Sequence, residues 1–169
     1  MTPRPLPILR RATLADVATA LAWSPTGEAL RRWAGSTVRW PATTESLWED
    51  INNADATTFA FESSTLGLVG FGQVRHREQT YGHLARIVVS PEHRGLGLGR
   101  ALVVALMREA PKLHKISCYT LYVFTDNPNA IALYRTLGFQ ERGFHPVHPT
   151  AMLMEAPLDA LDRVQEIKP

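Results

Sequence analysis

With 169 residues, 45% of them hydrophobic and 20% charged, the chain fits one compact domain and leaves little room for a second. A net charge of +2 suits a small anionic ligand and falls short of the basic footprint of a nucleic-acid binder. The lone Cys118 excludes an internal disulfide or a cysteine metal cluster, and the longest apolar run, residues 101–107, is far below the roughly 20 residues of a membrane span.

The N-terminus, "MTPRPLPILRR", has three prolines and no apolar stretch of secretory-signal length. We therefore expect a cytoplasmic protein with one domain over 1–169 and a core at about 7–158.

In chain order, "PILRRA" reads as a short strand. "TLADVATALAW" reads as a helix in which Thr13 and Asp16 have capping-box spacing and Leu14, Val17, Ala18 and Leu21 share a face. After Pro41, "TTESLWEDINN" sets Leu47, Trp48 and Ile51 on one side of a second helix, with Glu45 near its positive end. The β-rich runs "TTFAFES", "LGLVGFGQVRH" and "YGHLARIVVS" follow as an antiparallel meander; Gly70 and Gly72 in the middle run allow a backbone or ligand to come close. Residues 100–110 form an apolar helix that Pro111 should end. Next come a strand, "KISCYTLYVF", and a helix, "NPNAIALYRTLGF", with Asn127 as N-cap, Pro128 at the first helical position and Gly138 just past the end. Two last strands, "FQERGFH" and "TAMLMEAPL", flank a turn rich in proline and histidine, and a polar tail follows.

The chemistry concentrates in "VVSPEHRGLGLGRALVVALM". A strand, a glycine turn and a helix N-terminus present unpaired N–H groups and a positive dipole end. Gly95, Gly97 and Gly99 would each cost about 1 kcal/mol in a helix relative to alanine, and the close approach of a phosphate would account for them. Taken alone, the cluster also fits a merely flexible turn. The P-loop is excluded because no Gly-Lys-Ser/Thr follows; the dinucleotide fingerprint is excluded because its third glycine would fall at Leu102 and residues 91–94 interrupt the strand-to-turn passage.

"RGLGLG", residues 94–99, resembles the Q/R-x-x-G-x-G/A signature of the Gcn5-related N-acetyltransferase (GNAT) family, and "NPNAIALYRTLGF" is similar to that family's second signature. The resemblance implies an α/β (α+β) fold. Its mixed, mostly antiparallel sheet would have about seven strands flanked by about four helices, splayed between strands 4 and 5. It also implies acetyl-CoA as co-substrate, no metal, and an amine-bearing acceptor, either a small molecule or a peptide N-terminus. Neither nucleic acid nor membrane would be a partner, and the state would be monomer or homodimer. Arg94 and the amides of Gly95, Leu96, Gly97, Leu98, Gly99 and Arg100 would cradle the pyrophosphate. The strand edge at Ile87, Val88 and Val89 would pair with the pantetheine arm, Asn127 would lie near the thioester, and Tyr134 would stand by its sulfur.

A phenol of pKa near 10 can deliver a proton to a departing thiolate whose acid has a pKa near 8.5, which makes Tyr134 the candidate catalytic acid. Its place on the apolar stripe Ala130, Leu133, Tyr134, Leu137 equally fits a core aromatic. The glutamate that several family members use as base is replaced by Tyr122, and neither His83 nor Glu62 can be assigned that role from sequence. Arg86 could meet an acidic part of the acceptor or simply be solvated. Trp33 and Trp40 could line an aromatic pocket. His145 and His148 lack a third ligand for a metal, and the arginine pairs at 10 and 11, 31 and 32, and 75 and 77 read as solvated surface. Two rivals to acetyl transfer remain at this point: a non-catalytic acyl-CoA-binding module, and a transferase for a longer acyl donor that would need space near Gly70 and Gly72.

Overall fold

The structure, a computed structural model, describes residues 6–77 and 80–165. Seven strands form one sheet: β1 (Ile8–Arg11), β2 (Ala56–Ser63), β3 (Gly67–Arg77), β4 (Tyr81–Val89), β5 (Cys118–Phe124), β6 (Gln140–Phe144) and β7 (Ala151–Pro157). Their order is β1-β2-β3-β4-β5-β7-β6, and every neighbouring pair is antiparallel except β4 with β5. That parallel pairing spans only Tyr81↔Cys118 through Leu84↔Leu121, after which the two strands part. The expected sheet and its splay are both present.

Six helices are described where about four were expected: α1 (Leu14–Ala22), α2 (Gly27–Ala34), α3 (Thr44–Ile51), α4 (Leu98–Leu113), α5 (Pro128–Thr136) and α6 (Ala160–Gln165). None of the described helices is long and apolar enough to cross a membrane. The two additions are α2 and α6. Helix α2 starts where Thr26 Oγ1 accepts the Ala29 N–H at 3.1 Å, a one-sided cap without the glutamate that marks a capping box.

Helix α1 buries Val17 and Ala20 and leaves Leu14 and Ala18 exposed, so its inward face is rotated from the expected one. The rotation follows from Asp16. Its carboxylate accepts the Thr13 N–H at 2.7 Å and a forked pair from Arg10 at 2.7 and 2.9 Å, which draws that side of the helix onto β1.

Helix α4 packs on one face of the sheet, where Leu102, Val103, Leu106 and Met107 are fully buried against Val74, Leu84 and Leu121. Each such side chain removed from water is worth roughly 1.5–3 kcal/mol. Gly70 and Gly72 serve this packing. A Cβ at Gly72 would sit 2.8 Å from Leu106 Cδ1, and one at Gly70 would sit 3.0 Å from Leu102 Cδ2, so the space above them holds a helix and gives no room for an acyl chain. On the opposite face α1, α2 and α3 form a second core around Phe71 and Val88.

Pro111 does not end α4, which continues to Leu113. Proline deprives the Met107 carbonyl of its helical donor, and the buried Tyr119 hydroxyl takes the vacant place at 3.0 Å.

Candidate active site

The turn ahead of α4 is built as its glycines require. Gly95 and Gly97 hold φ of +77° and +76°, the left-handed region that L side chains avoid, and a Cβ on either would meet nothing within 4 Å. Gly99 lies inside the helix with unstrained backbone, where a Cβ would touch only Leu133 and Val89 at 3.7 and 3.9 Å. A recess of about 290 Å³ opens here, lined by Val89, Arg94, Gly95, Gly97, Gly99 and Arg100 among others. Free amides, a helix N-terminus and two guanidinium groups suit this recess to a phosphate. Arg100 also donates to Thr136 Oγ1 at 2.9 Å, tying the turn to α5. Leu96 is more than half exposed, and Val88 turns into the core beneath α1–α3.

Where β4 and β5 part lies a cavity of about 480 Å³. Its walls include Ile87 on β4, Tyr122 on β5, Asn127 and Tyr134 at α5, and residues 34–37 behind α2. Among the described residues the β5-facing edge of β4 beyond Leu84 has no strand partner. Of the site residues expected from sequence, Val89, Arg94, Gly95, Gly97, Leu98, Gly99 and Arg100 line the recess, and Ile87, Asn127 and Tyr134 line the cavity.

Tyr134 packs edge-on to Phe139 at 5.9 Å and is 8% exposed. Its hydroxyl has no hydrogen bond to a described residue, yet no buried side-chain polar atom among them lacks a partner, so the hydroxyl opens on the cavity. Burial pushes its pKa up to about 12, which keeps the phenol protonated. Asn127 Oδ1 accepts the Ala130 N–H at 3.3 Å as the N-cap of α5, leaving the amide nitrogen available to the cavity.

The far end of the cavity is richer than sequence suggested. His83, 4% exposed, shares a hydrogen bond of 2.9 Å between Nδ1 and Thr120 Oγ1, and burial with the neighbouring Arg77, Arg75 and Arg86 pushes its pKa down to about 3. From it a row of rings runs outward: His83 to Tyr122 at 5.5 Å, Tyr122 to His145 at 4.8 Å, His145 to His148 at 4.9 Å. His145 Nδ1 accepts the N–H groups of Val147 and His148, so in the neutral ring the proton sits on Nε2. His148 Nε2 meets Ser36 Oγ at 3.0 Å, and Arg32 forks onto Asp126 at 3.1 Å, closing α2 and its loop over the cavity.

Several residues stand elsewhere than expected. Glu62 is held by Arg10 at 2.7 Å and does not line the cavity. Trp33 does line it, with Nε1 on Ser24 Oγ at 2.8 Å, whereas Trp40 lies against Gly27, away from the cavity. The arginines at 31, 32, 75 and 77 are not dispersed surface; all four line the cavity. Arg86 is neither solvated nor on regular strand. It occupies a bulge in β4 with φ +52°, donating from Nε to the Ala34 carbonyl at 3.0 Å and from Nη1 to Gln73 Oε1 at 2.7 Å. The convergence of α2, the β6–β7 turn and this bulge is long-range, and no local motif announces it.

A mixed sheet that opens between its fourth and fifth strands, behind a glycine turn at a helix N-terminus, defines one class of α/β fold. The chain belongs to the Acetyltransferase (GNAT) family, whose profile matches residues 27–139. It is 37% identical over 81 residues to an N-alpha-acetyltransferase of Sulfurisphaera tokodaii, a match covering 46% of this chain and 48% of that one. The chain therefore spans about half the length of that relative. Its fold is similar to that of the spermidine N-acetyltransferase from Vibrio cholerae in complex with CoA and spermine (TM-score 0.75, 19% identity, covering 92% of this chain and 97% of that one). It is also similar to AAC(6')-Ib in complex with "Parmomycin" and acetyl-CoA (TM-score 0.76, 18% identity, covering 97% and 100%).

Proposed function

We propose that the chain is an N-acetyltransferase that moves the acetyl group of acetyl-CoA to a primary amine by direct attack within a ternary complex. The observation that carries this reading is the opening of the Tyr134 hydroxyl into the gap left where β4–β5 pairing stops at Leu84 and Leu121. Family membership and relatives named as N-acetyltransferases support it.

The residues present fit the co-substrate. Arg94 and the amides of residues 95–100 would hold its pyrophosphate, because the space a Cβ would fill at Gly95 and Gly97 is open. The unpaired β4 edge at Ile87 and Val89 would hold its pantetheine arm, and Asn127 would donate from its free amide. Bound acetyl-CoA supplies an activated acetyl thioester. Tyr134 holds a proton at its hydroxyl and donates it toward the leaving sulfur. Burial raises the phenol, which keeps that proton in place until charge develops on the sulfur.

The acceptor attacks as the neutral amine, its proton leaving to solvent. His83, too weak a base at a pKa of about 3 to hold that proton, accepts a hydrogen bond from the amine. His83 lines the cavity, it is neutral, and the Thr120 contact at Nδ1 orients its ring with Nε2 as the remaining nitrogen. Tyr122, His145 and exposed His148 continue the row of rings outward from it and wall the acceptor end of the cavity. Peptide α-amines and polyamines are both candidate acceptors on the strength of the relatives' names.

The test is free-thiol release from acetyl-CoA across an amine panel. Acceptor-dependent release that Tyr134→Phe suppresses supports the reading. Saturable acetyl-CoA binding with no transfer to any acceptor replaces it with a binding module.

A further inference from the structure

Arg86 is positioned differently from Arg75 and Arg32 in the same cavity. Arg75 is paired with Asp55 at 2.8 Å and Arg32 with Asp126 at 3.1 Å, so each has a carboxylate. The two partners of Arg86 are neutral: the Ala34 carbonyl and Gln73 Oε1. Gln73 is fully buried and its amide nitrogen donates to the Ile51 carbonyl at 2.9 Å and to Thr58 Oγ1 at 2.7 Å, which fixes its oxygen toward the guanidinium. A guanidinium carries five N–H donors. Among the described residues Nη2 has no hydrogen-bond partner, although the side chain lines the cavity.

The charged groups that line the cavity beside it share one sign. Arg75 stands opposite His83 in the β3–β4 register, Arg77 lies two residues further along the same face, and Arg31 and Arg32 come from α2. No described aspartate or glutamate lines the cavity. Burial together with the fields of Arg75 and Arg77 lowers the Arg86 pKa to about 10, against smaller opposing fields from Asp55 and Asp50, neither of which hydrogen-bonds to it. A half-buried cation among cations, with donors still open, is an arrangement completed by an incoming anion.

We propose that Arg86 receives an anionic group, a carboxylate or a phosphate, carried by the acceptor amine itself. This rests on the acetyl-transfer reading. It makes the substrate an amino acid, an acidic peptide N-terminus or a phosphorylated amine, and it disfavours polyamines, whose further ammonium groups would face the arginines.

The experiment compares matched acceptors on the full-length chain: an acidic dipeptide against its amide, an amino-sugar phosphate against the free amino sugar, and spermidine alone. We expect the anionic member of a pair to exceed its neutral partner by about tenfold or more in kcat/KM, the value of one charge-assisted contact. The pair that discriminates tells carboxylate from phosphate. Arg86→Met should cost the anionic acceptor about tenfold more in kcat/KM than its neutral partner, beyond whatever both lose to the stranded Ala34 carbonyl and Gln73 oxygen. Equal turnover within both pairs, preference for spermidine, or an equal loss for both members in Arg86→Met overturns the proposal.

Binding is read separately. Titration of the CoA-loaded wild-type chain with the N-acetylated acids needs neither turnover nor a variant. Saturable binding there upholds the anion site even where no amine is acetylated, in which case the transfer reading alone falls. Failure of every anionic ligand to bind overturns the site.

Discussion

The Tyr119 hydroxyl donates to the Met107 carbonyl at 3.0 Å, the oxygen that Pro111, four residues later, cannot serve. This is why α4 runs through a proline to Leu113, with the His114 N–H closing on the Ala110 carbonyl at 3.1 Å. Tyr119→Phe strands a buried carbonyl and should cost about 1–3 kcal/mol in urea unfolding. In a Pro111→Ala background the backbone N–H returns, and the same change should cost less by roughly 1 kcal/mol. Equal costs in the two backgrounds would show that the hydroxyl is not a cap.

Tyr134→Phe should lower kcat by about a hundredfold or more while the KM for acetyl-CoA stays within about twofold. Stability should not fall, since the hydroxyl makes no hydrogen bond to a described residue. With its pKa pushed up to about 12, Tyr134 should put no alkaline limb in the pH–rate profile below about pH 10. Steady-state kinetics across pH, with thermal melts, checks all three.

Gly99→Ala should separate folding from binding. The added methyl meets only ordinary contacts at 3.7 Å or more and relieves a helical glycine, so the fold should gain up to about 1 kcal/mol. Alanine is also what the family signature allows at this position, so the KM for acetyl-CoA should stay within about twofold. Gly97→Ala, at φ +76°, should lose on both counts, with about 1–2 kcal/mol of backbone strain. An unchanged KM in Gly97→Ala would remove the turn from the binding site.

Acid should destabilise the fold through His83. Its unfolded pKa is near 6.5 and its folded value about 3, so between those limits the unfolded chain takes up a proton that the native state refuses. Stability is complete above pH 6.5 and declines as pH falls through this window, with a slope approaching about 1.4 kcal/mol per pH unit. His145, also shifted down by partial burial and by His148, acts in the same direction. Asp16 contributes lower: Arg10 and Thr13 hold its carboxyl below the usual range, so its stabilisation is lost only as pH drops past about 4. Chemical denaturation at stepped pH should show the upper slope flattened in His83→Asn, and a slope that persists there would move its cause elsewhere.

What could be read from the sequence was local chemistry with few solutions. Asn127, Pro128 and Gly138 each need a particular backbone shape, and they bound α5 where expected, with Gly138 at φ +88°. The turn glycines could be recognised for the same reason. Helix α2 was not, because "GEALRRWA" opens on glycine and its inward face is only Gly27, Leu30 and Ala34. Pro111 misled because its helical cost is offset by a residue eight positions away on another element. Arg86 shows the limit of strand periodicity: a bulge reverses the side on which a residue falls, and the partners that define this one come from Ala34 and Gln73.

The brevity of the β4–β5 seam has a mechanical consequence. The four residue pairs from Tyr81↔Cys118 to Leu84↔Leu121 make the only strand pairing described between the two halves of the sheet, so backbone hydrogen bonds join them there alone while α4 packs across both. A pantetheine arm laid along the gap would lengthen that seam into a continuous weld. Occupancy would then be felt as rigidity: at a hundred times its Kd the ligand adds about 2.7 kcal/mol. Amide exchange should slow on both sides of the join at once, making cohesion of the sheet a gauge of donor loading.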